Sequence, residues 1–452
     1  MAESVLFVAR EPDETLRTFL PIIDELTRRG VTSEVIFHHW PGDWAQRALE
    51  ARGTAWWHVA VSVKRLAGLV QRLPMPAAAR GPLGELTQLR ETRSLTKRIV
   101  EQHQPRAVVV IQDTLLLERF LVRWANRSGI PTLVIQWAFS FPQDYYDRLR
   151  ALKSDASLTS PRAGRRSRRS LGLYGLVQRA LDVRFDMPNS YGGGEARQFA
   201  VMGSHFRDQY RAQGVTGKVI SITGHPLHDA AFQRAQVMDA TEQARIRASY
   251  GIPSDERLVL YATQPFFWRG VLTADELQEN IRAMNTSVSS LGPDYRLAVK
   301  IHPRESIDDY AFCAELAPPV RVIASAEMTD LIALAEVFIS SSSSTVLLAM
   351  MLDRPIVTVN FNQVLHFDLF ESIGGTLHTR TFDEFDQALK RVTHDETTRA
   401  QLAESRSAAL NRLARFDGHA TERITDLLAP GPAPSPPGRG PGRGSGSYSC
   451  VD

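Results

Sequence analysis

Apolar residues along this chain recur in two periods that alternate. Val5 to Ala9 is a short continuous apolar run, and Leu16, Phe19, Leu20, Ile23 and Leu26 then fall at the three- and four-residue spacing of one helix face. Gly30 supplies the stop, because a residue without Cβ accepts the left-handed conformation that ends many helices. The unit repeats, with strands predicted at Ser33 to Phe37, Ala107 to Ile111, Thr132 to Gln136, Gln198 to Met202 and Val219 to Thr223. A second series is predicted at Leu258 to Ala262, Arg296 to Ile301, Arg321 to Ala324, Val337 to Ser340 and Ile356 to Asn360, with helical patterns such as Met328 to Ala335 between them. Strands alternating with helices specify parallel sheets covered on both faces, so the pattern predicts an α/β chain of two Rossmann-like, doubly wound domains facing a cleft.

The two series meet at ISITGHPLHD, Ile220 to Asp229, where Gly224 and Pro226 break regular structure. This places an N-terminal domain over 1–225 and a C-terminal domain over 226–428. The chain beyond 428 is too rich in Pro and Gly to build a core and is expected to be disordered. One stretch, 151–194, interrupts the alternation. It carries Arg162, Arg165, Arg166, Arg168 and Arg169, then Leu173, Leu176, Val177 and Leu181 at helical spacing with Arg179 and Arg184 between them, and ends in YGGG. It reads as a basic, amphipathic insertion.

Composition narrows the function classes. Two domains are the ordinary expectation for 452 residues. Lys and Arg number 53 against 50 Asp and Glu, a net charge of +3 that is too balanced for a nucleic-acid binder. Any basic function is therefore local, and the insertion is where an anionic membrane surface or polyanionic acceptor would dock. Cys313 and Cys450 suggest neither a disulfide framework nor a zinc site. With no export signal and no apolar run of membrane-spanning length, the expected location is cytoplasmic, peripheral at the inner face of the membrane when docked.

Ligands of doubly wound sheets sit at the carboxyl ends of the strands, so the loops just after them carry the candidate chemistry. In KIHPRE, Lys300 to Glu305, a strand ends in His302 and Pro303 with Arg304 beside them. Imidazole and cation together can hold a phosphate, and a protonated imidazole can serve its departure. In SSSSTVLLAMM the residues Ser341, Ser342, Ser343, Ser344 and Thr345 end one strand and open a helix, where hydroxyls, backbone N–H groups and the helix dipole favour an anion. Serine is also an ordinary N-cap. Gly224 and His225 at the hinge are expected to join this donor site. For a general base the candidates are Asp13, then Glu11, then Asp113, with Glu14 beside them; each also suits a helix start. No Asp-x-Asp triad, metal-spaced His/Cys cluster, P-loop or Gly-x-Gly-x-x-Gly fingerprint occurs, so no metal and no cofactor are expected beyond a nucleotide-sugar co-substrate.

The order of GHPLHD, strand, KIHPRE, serine cluster and DRPIVTV resembles the C-terminal half of capsule, teichoic-acid and polysialic-acid transferases of the glycosyltransferase-B superfamily. That resemblance implies a metal-independent transferase in surface polysaccharide or glycoconjugate synthesis. It implies a CMP- or CDP-linked donor whose phosphate is held by His302, Pro303, Ser343, Ser344 and Thr345, and a glycan or lipid-linked acceptor. The segment VVVIQDTLLLERFLVRWANRSGIPTLVIQWA is similar in layout to UDP-N-acetylglucosamine 2-epimerases, with Asp113 at an acidic catalytic position. It departs from them at Gln136-Trp137 and at TQPFFWRG. An epimerase or hydrolase using Asp113 is therefore the first alternative, and a non-catalytic binding module of the same fold is the second.

Overall fold

A computed structural model of the chain describes residues 4–59, 77–139, 191–268, 270–341, 343–363 and 369–429, with backbone alone for residues 13, 14 and 77–88. The basic loop and amphipathic segment expected within 151–194, Ser342 and the Pro/Gly-rich stretch after 429 lie outside the described residues.

The architecture is α/β with two parallel sheets. The first has the order β3 (Ala55–His58), β2 (Ser33–Phe37), β1 (Val5–Ala9), β4 (Ala107–Val110), β5 (Thr132–Ile135), β6 (Gln198–Val201) and β7 (Val219–Ile222). The second has the order β10 (Arg321–Ile323), β9 (Tyr295–Lys300), β8 (Arg257–Ala262), β11 (Ala335–Ser340), β12 (Ile356–Val359) and β13 (Leu377–Thr379). Every pairing is parallel. The strand order reverses between β1 and β4 in one sheet and between β8 and β11 in the other. Each reversal opens a crevice at the carboxyl edge.

The apolar runs follow from burial on both sheet faces. Leu6 and Val8 enter one apolar cluster, while Val5, Phe7 and Ala9 enter another on the opposite side. A strand that fills two cores reads as an unbroken apolar run instead of an alternation. The two sheets are joined by an apolar seam. Phe139 stacks on Phe206 with ring centroids 5.3 Å apart and meets Phe370 of the second half edge-on at 5.8 Å.

The chain does not end in the half where the sequence places it. The helix Ala420–Leu428 leaves the second sheet and packs on the helix Pro12–Arg28, so that Ile424 and Leu428 are buried beside Val5, Phe7, Leu16, Phe19 and Ile23. Burying such side chains stabilises by about 1.5–3 kcal/mol each. The C-terminal domain expected over 226–428 therefore gives its last helix to the N-terminal core.

The hinge sequence builds this return. Asp229 accepts from the backbone N–H groups of Ala420 and Thr421 at 2.9 and 2.7 Å, capping the returning helix. Arg423 Nε donates to the Thr223 carbonyl at 2.8 Å, and the N–H of Arg415 donates to Met202 O at 2.8 Å. Gly224, at φ +82°, lies so close to the Arg415 carbonyl that a Cβ would collide with it. No helix among the described residues is long and apolar enough to cross a membrane.

Candidate active site

The site is assembled where β8, β9 and β11 end. Thr263, just past β8, donates its hydroxyl to Glu305 Oε2 at 2.5 Å and accepts the backbone N–H of His302 at 2.8 Å. His302 N–H also reaches Glu305 Oε2 at 3.1 Å, so the turn after β9 is pinned from two sides. Burial, the largest influence, raises the Glu305 carboxyl above its ordinary value. His302 Nδ1 accepts the backbone N–H of Arg304 at 3.2 Å. In the neutral ring that bond leaves the proton on Nε2, which can donate to an anion.

The serine run serves three purposes along five residues. Ser340 ends β11 fully buried and donates to the Ala262 carbonyl at 3.1 Å, tying β11 to β8. Ser343 is the N-cap of the helix Ser344–Met351, accepting from the Thr345 N–H at 3.3 Å and from the Thr345 hydroxyl at 2.9 Å. Ser344 is exposed on the first turn, where N–H groups without helical partners favour an anion.

Two cavities meet at this helix start. One of about 510 Å³ is lined by Thr263, Gln264, Lys300, His302, Pro303, Ser343, Ser344 and Thr345. The other, about 640 Å³, lies between the halves, walled by Arg17, Trp137, His225, His228, Leu347 and Leu348. Phe139, Met328, Ser344 and Thr345 belong to both. The structure thus brings His302, Pro303 and Ser343 to Thr345 together, with His225 one cavity away.

Other candidates stand elsewhere. Asp113, a candidate base, is completely buried. Its Oδ2 receives Lys218 Nζ at 3.0 Å and the Ala196 N–H at 3.2 Å, and the backbone of Gly194 closes over it with no room for a Cβ. It lines neither cavity, and its place is that of a structural ion pair. Lys300 lines the smaller cavity, but its ammonium donates to the Ile301 and Ala324 carbonyls at 2.7 and 3.2 Å, and burial lowers its pKa. It holds strand ends together instead of meeting the donor. Arg304 is exposed, with its guanidinium 5.6 Å from the Trp268 ring, and is not part of either cavity wall. Gly224 serves the chain return. Ser341 is buried behind the helix start. Glu11 precedes the helix Pro12–Arg28 and makes no side-chain cap bond to it. The side chains of Asp13 and Glu14 are outside the described residues.

Several site residues escape sequence reasoning. Arg17, held 4.7 Å over the Trp44 ring, and Trp137 bring the N-terminal half to the larger cavity. Gln136 accepts from the Met202 N–H at 2.9 Å and donates to the Ala138 carbonyl at 3.2 Å, fixing the loop that carries Trp137 and Phe139. Thr263 and His228 had signals, one directly after a strand and the other within GHPLHD. Among the described residues, no group of three or more His, Cys, Asp or Glu side chains is placed to hold a metal ion.

The sequence profile of the CDP-Glycerol:Poly(glycerophosphate) glycerophosphotransferase family matches residues 201–429, just over half of the chain, from the end of β6 through the returning helix. The chain belongs to this family. It is accordingly a transferase. The glycerophosphotransferase match spans the hinge, the His302 turn and the serine helix start, the three features that the sequence singles out. No curated protein sequence matches the chain. Among solved structures, UDP-GlcNAc 2-epimerase from Neisseria meningitidis bound to UDP-GlcNAc is similar with a TM-score of 0.56 at 13% identity, covering 94% of this chain and 99% of that one. A putative UDP-N-acetylglucosamine 2-epimerase from Listeria monocytogenes gives 0.58 at 12% identity over 96% and 99%. A kitacinnamycin glycosyltransferase gives 0.54 at 17% over 94% and 98%. These likenesses establish the fold, two Rossmann-like halves of the glycosyltransferase-B type.

Proposed function

We propose that the protein transfers a polyol-phosphate or sugar group from a CMP- or CDP-activated donor to a hydroxyl of a glycan or lipid-linked acceptor, in surface polysaccharide or glycoconjugate synthesis. The observation that carries this reading is the convergence of His302 and the Ser343–Thr345 helix start on one cavity beside the β8/β11 reversal. The family description, which names CDP-glycerol, supports the choice of nucleotide. With a CDP-linked polyol, the acceptor oxygen bonds to the second phosphorus as the bond from that phosphorus to the bridging oxygen breaks. The electron pair leaves on CMP. The helix start and His302 Nε2–H stabilise the charge that develops there, which requires no metal ion. The hydroxyl proton passes to a carboxylate at the start of the first helix, Glu11 or Asp13.

With CDP-glycerol as donor and a glycerol-phosphate oligomer as acceptor, His302→Ala is expected to lower CMP release at least about 100-fold, the usual contribution of a positioned acid. Release within about threefold of wild type by a folded variant refutes the role. Added chelator leaves wild-type turnover unchanged on this reading.

The acceptor is proposed to lie at an anionic membrane surface reached through the basic insertion. Five arginines at ~1 kcal/mol each suffice for reversible attachment. Wild type is expected to co-sediment with anionic liposomes at low salt, and a variant with Arg162, Arg165, Arg166, Arg168 and Arg169 all changed to Ser is not. Equal behaviour of the two proteins makes the segment an ordinary surface insertion and overturns the docking role.

A further inference from the structure

The larger cavity contains chemistry that donor phosphate binding does not use. His225 is 2% exposed and lies in the cavity wall. Its Nδ1 accepts the Leu227 N–H at 3.3 Å, which caps the helix Pro226–Gln236 and places the ring proton on Nε2. That Nε2 is buried and has no hydrogen-bond partner among the described residues. One turn on, His228 lies 5.2 Å from it, ring to ring, and its buried Nδ1 has no partner among the described residues either. Burial holds both rings neutral, His225 well below the ordinary imidazole value and His228 at about 4. An unmet buried donor carries a desolvation cost that a ligand acceptor removes, so its persistence beside a cavity points to a ligand.

The rest of the wall defines what that ligand is. Much of it is apolar: Trp137, Phe139, Met202, Met328, Leu347 and Leu348. The cations on the C-terminal side are already matched, because Arg234 is bound by Asp330 at 2.7 Å and by Glu242 at 2.5 Å, and Arg245 by Glu242 at 2.6 Å. On this side of the cavity, neutral imidazoles, compensated cations and apolar carbon suit an uncharged, hydroxyl-bearing group, while Arg17 on the N-terminal side lies over the Trp44 ring. The shared residues Ser344 and Thr345 put that group directly beyond the proposed phosphate position.

We propose that the larger cavity seats the polyol or sugar portion of the group that the donor transfers, and that His225 Nε2–H donates to one of its hydroxyls while His228 bonds a second. This deepens the donor-site reading and rests on it.

The test compares CMP, CDP and CDP-glycerol binding to the full chain by titration calorimetry. His225→Asn retains an oxygen that can cap the helix and removes the Nε2 donor. It is expected to bind CMP and CDP within twofold of wild type and CDP-glycerol roughly tenfold more weakly, as expected when a buried hydrogen bond is lost. His228→Gln, which leaves the cap intact, should show the same selectivity to a smaller extent, and it carries the test if His225→Asn does not fold. Equal weakening for CMP and CDP-glycerol would place the nucleotide in this cavity and overturn the proposal, as would unchanged affinity for all three. Absence of CMP and CDP binding to wild type instead brings down the donor-site reading beneath it.

Discussion

Among the described residues, the carboxylate of Asp113 has two partners on one oxygen and none on the other. Oδ2 holds Lys218 and the Ala196 N–H, while Oδ1 is buried and unbonded. A buried pair of this kind resists loss of one member far more than loss of both, because the survivor is left as an isolated charge. Asp113→Asn or Lys218→Met is expected to destabilise by about 3–5 kcal/mol, and the Asp113→Leu/Lys218→Met double variant by much less. Denaturant unfolding measures this, and the rate per folded molecule should be unaffected. A folded Asp113→Asn variant without transferase activity would return this residue to the site. Its position after a strand was legible in the sequence; its burial was not, because the partner lies 105 residues further on. His302 was legible for the opposite reason. Its Nδ1 bond is local, made two residues away, so the motif contains its own geometry.

Whole elements were read with similar unevenness. Central strands appeared within a residue or two of their observed ends, since a run buried on both faces leaves an unbroken apolar signature. Edge strands β3 and β13 were missed. The first reads AWWH and the second LHT, and neither has the Val and Ile residues that made the equally exposed edge strand β7, VISI, and the equally short β10, RVI, legible. The segment that forms the returning helix was assigned to the wrong half, because apolar periodicity identifies a buried face without naming what covers it. Asp229 is the residue that settles the matter. Asp229→Ala removes both acceptors from the helix start and is expected to cost about 1–3 kcal/mol, with faster amide exchange confined first to 420–428. Uniform exchange across both sheets would show that the capped helix is not a separable unit. The site followed the same rule: motif residues at strand ends were found, whereas Arg17 and Trp137 enter only through packing of one half on the other.

At the scale of the molecule, the return of the last helix means that the polypeptide passes between the halves twice, once near Gly224 and again near Arg415, and the two passages touch. Two bodies hung from a pair of adjacent pins keep a single easy degree of freedom, like a door. Sliding or twisting in the plane of the cleft would shear the contact between Gly224 and Arg415, whereas swinging about it would part the Phe139–Phe370 edge and the walls of the larger cavity. The same arrangement makes the chain indivisible at its apparent midpoint, for a fragment ending at residue 225 would leave the groove that receives Ile424 and Leu428 open to water.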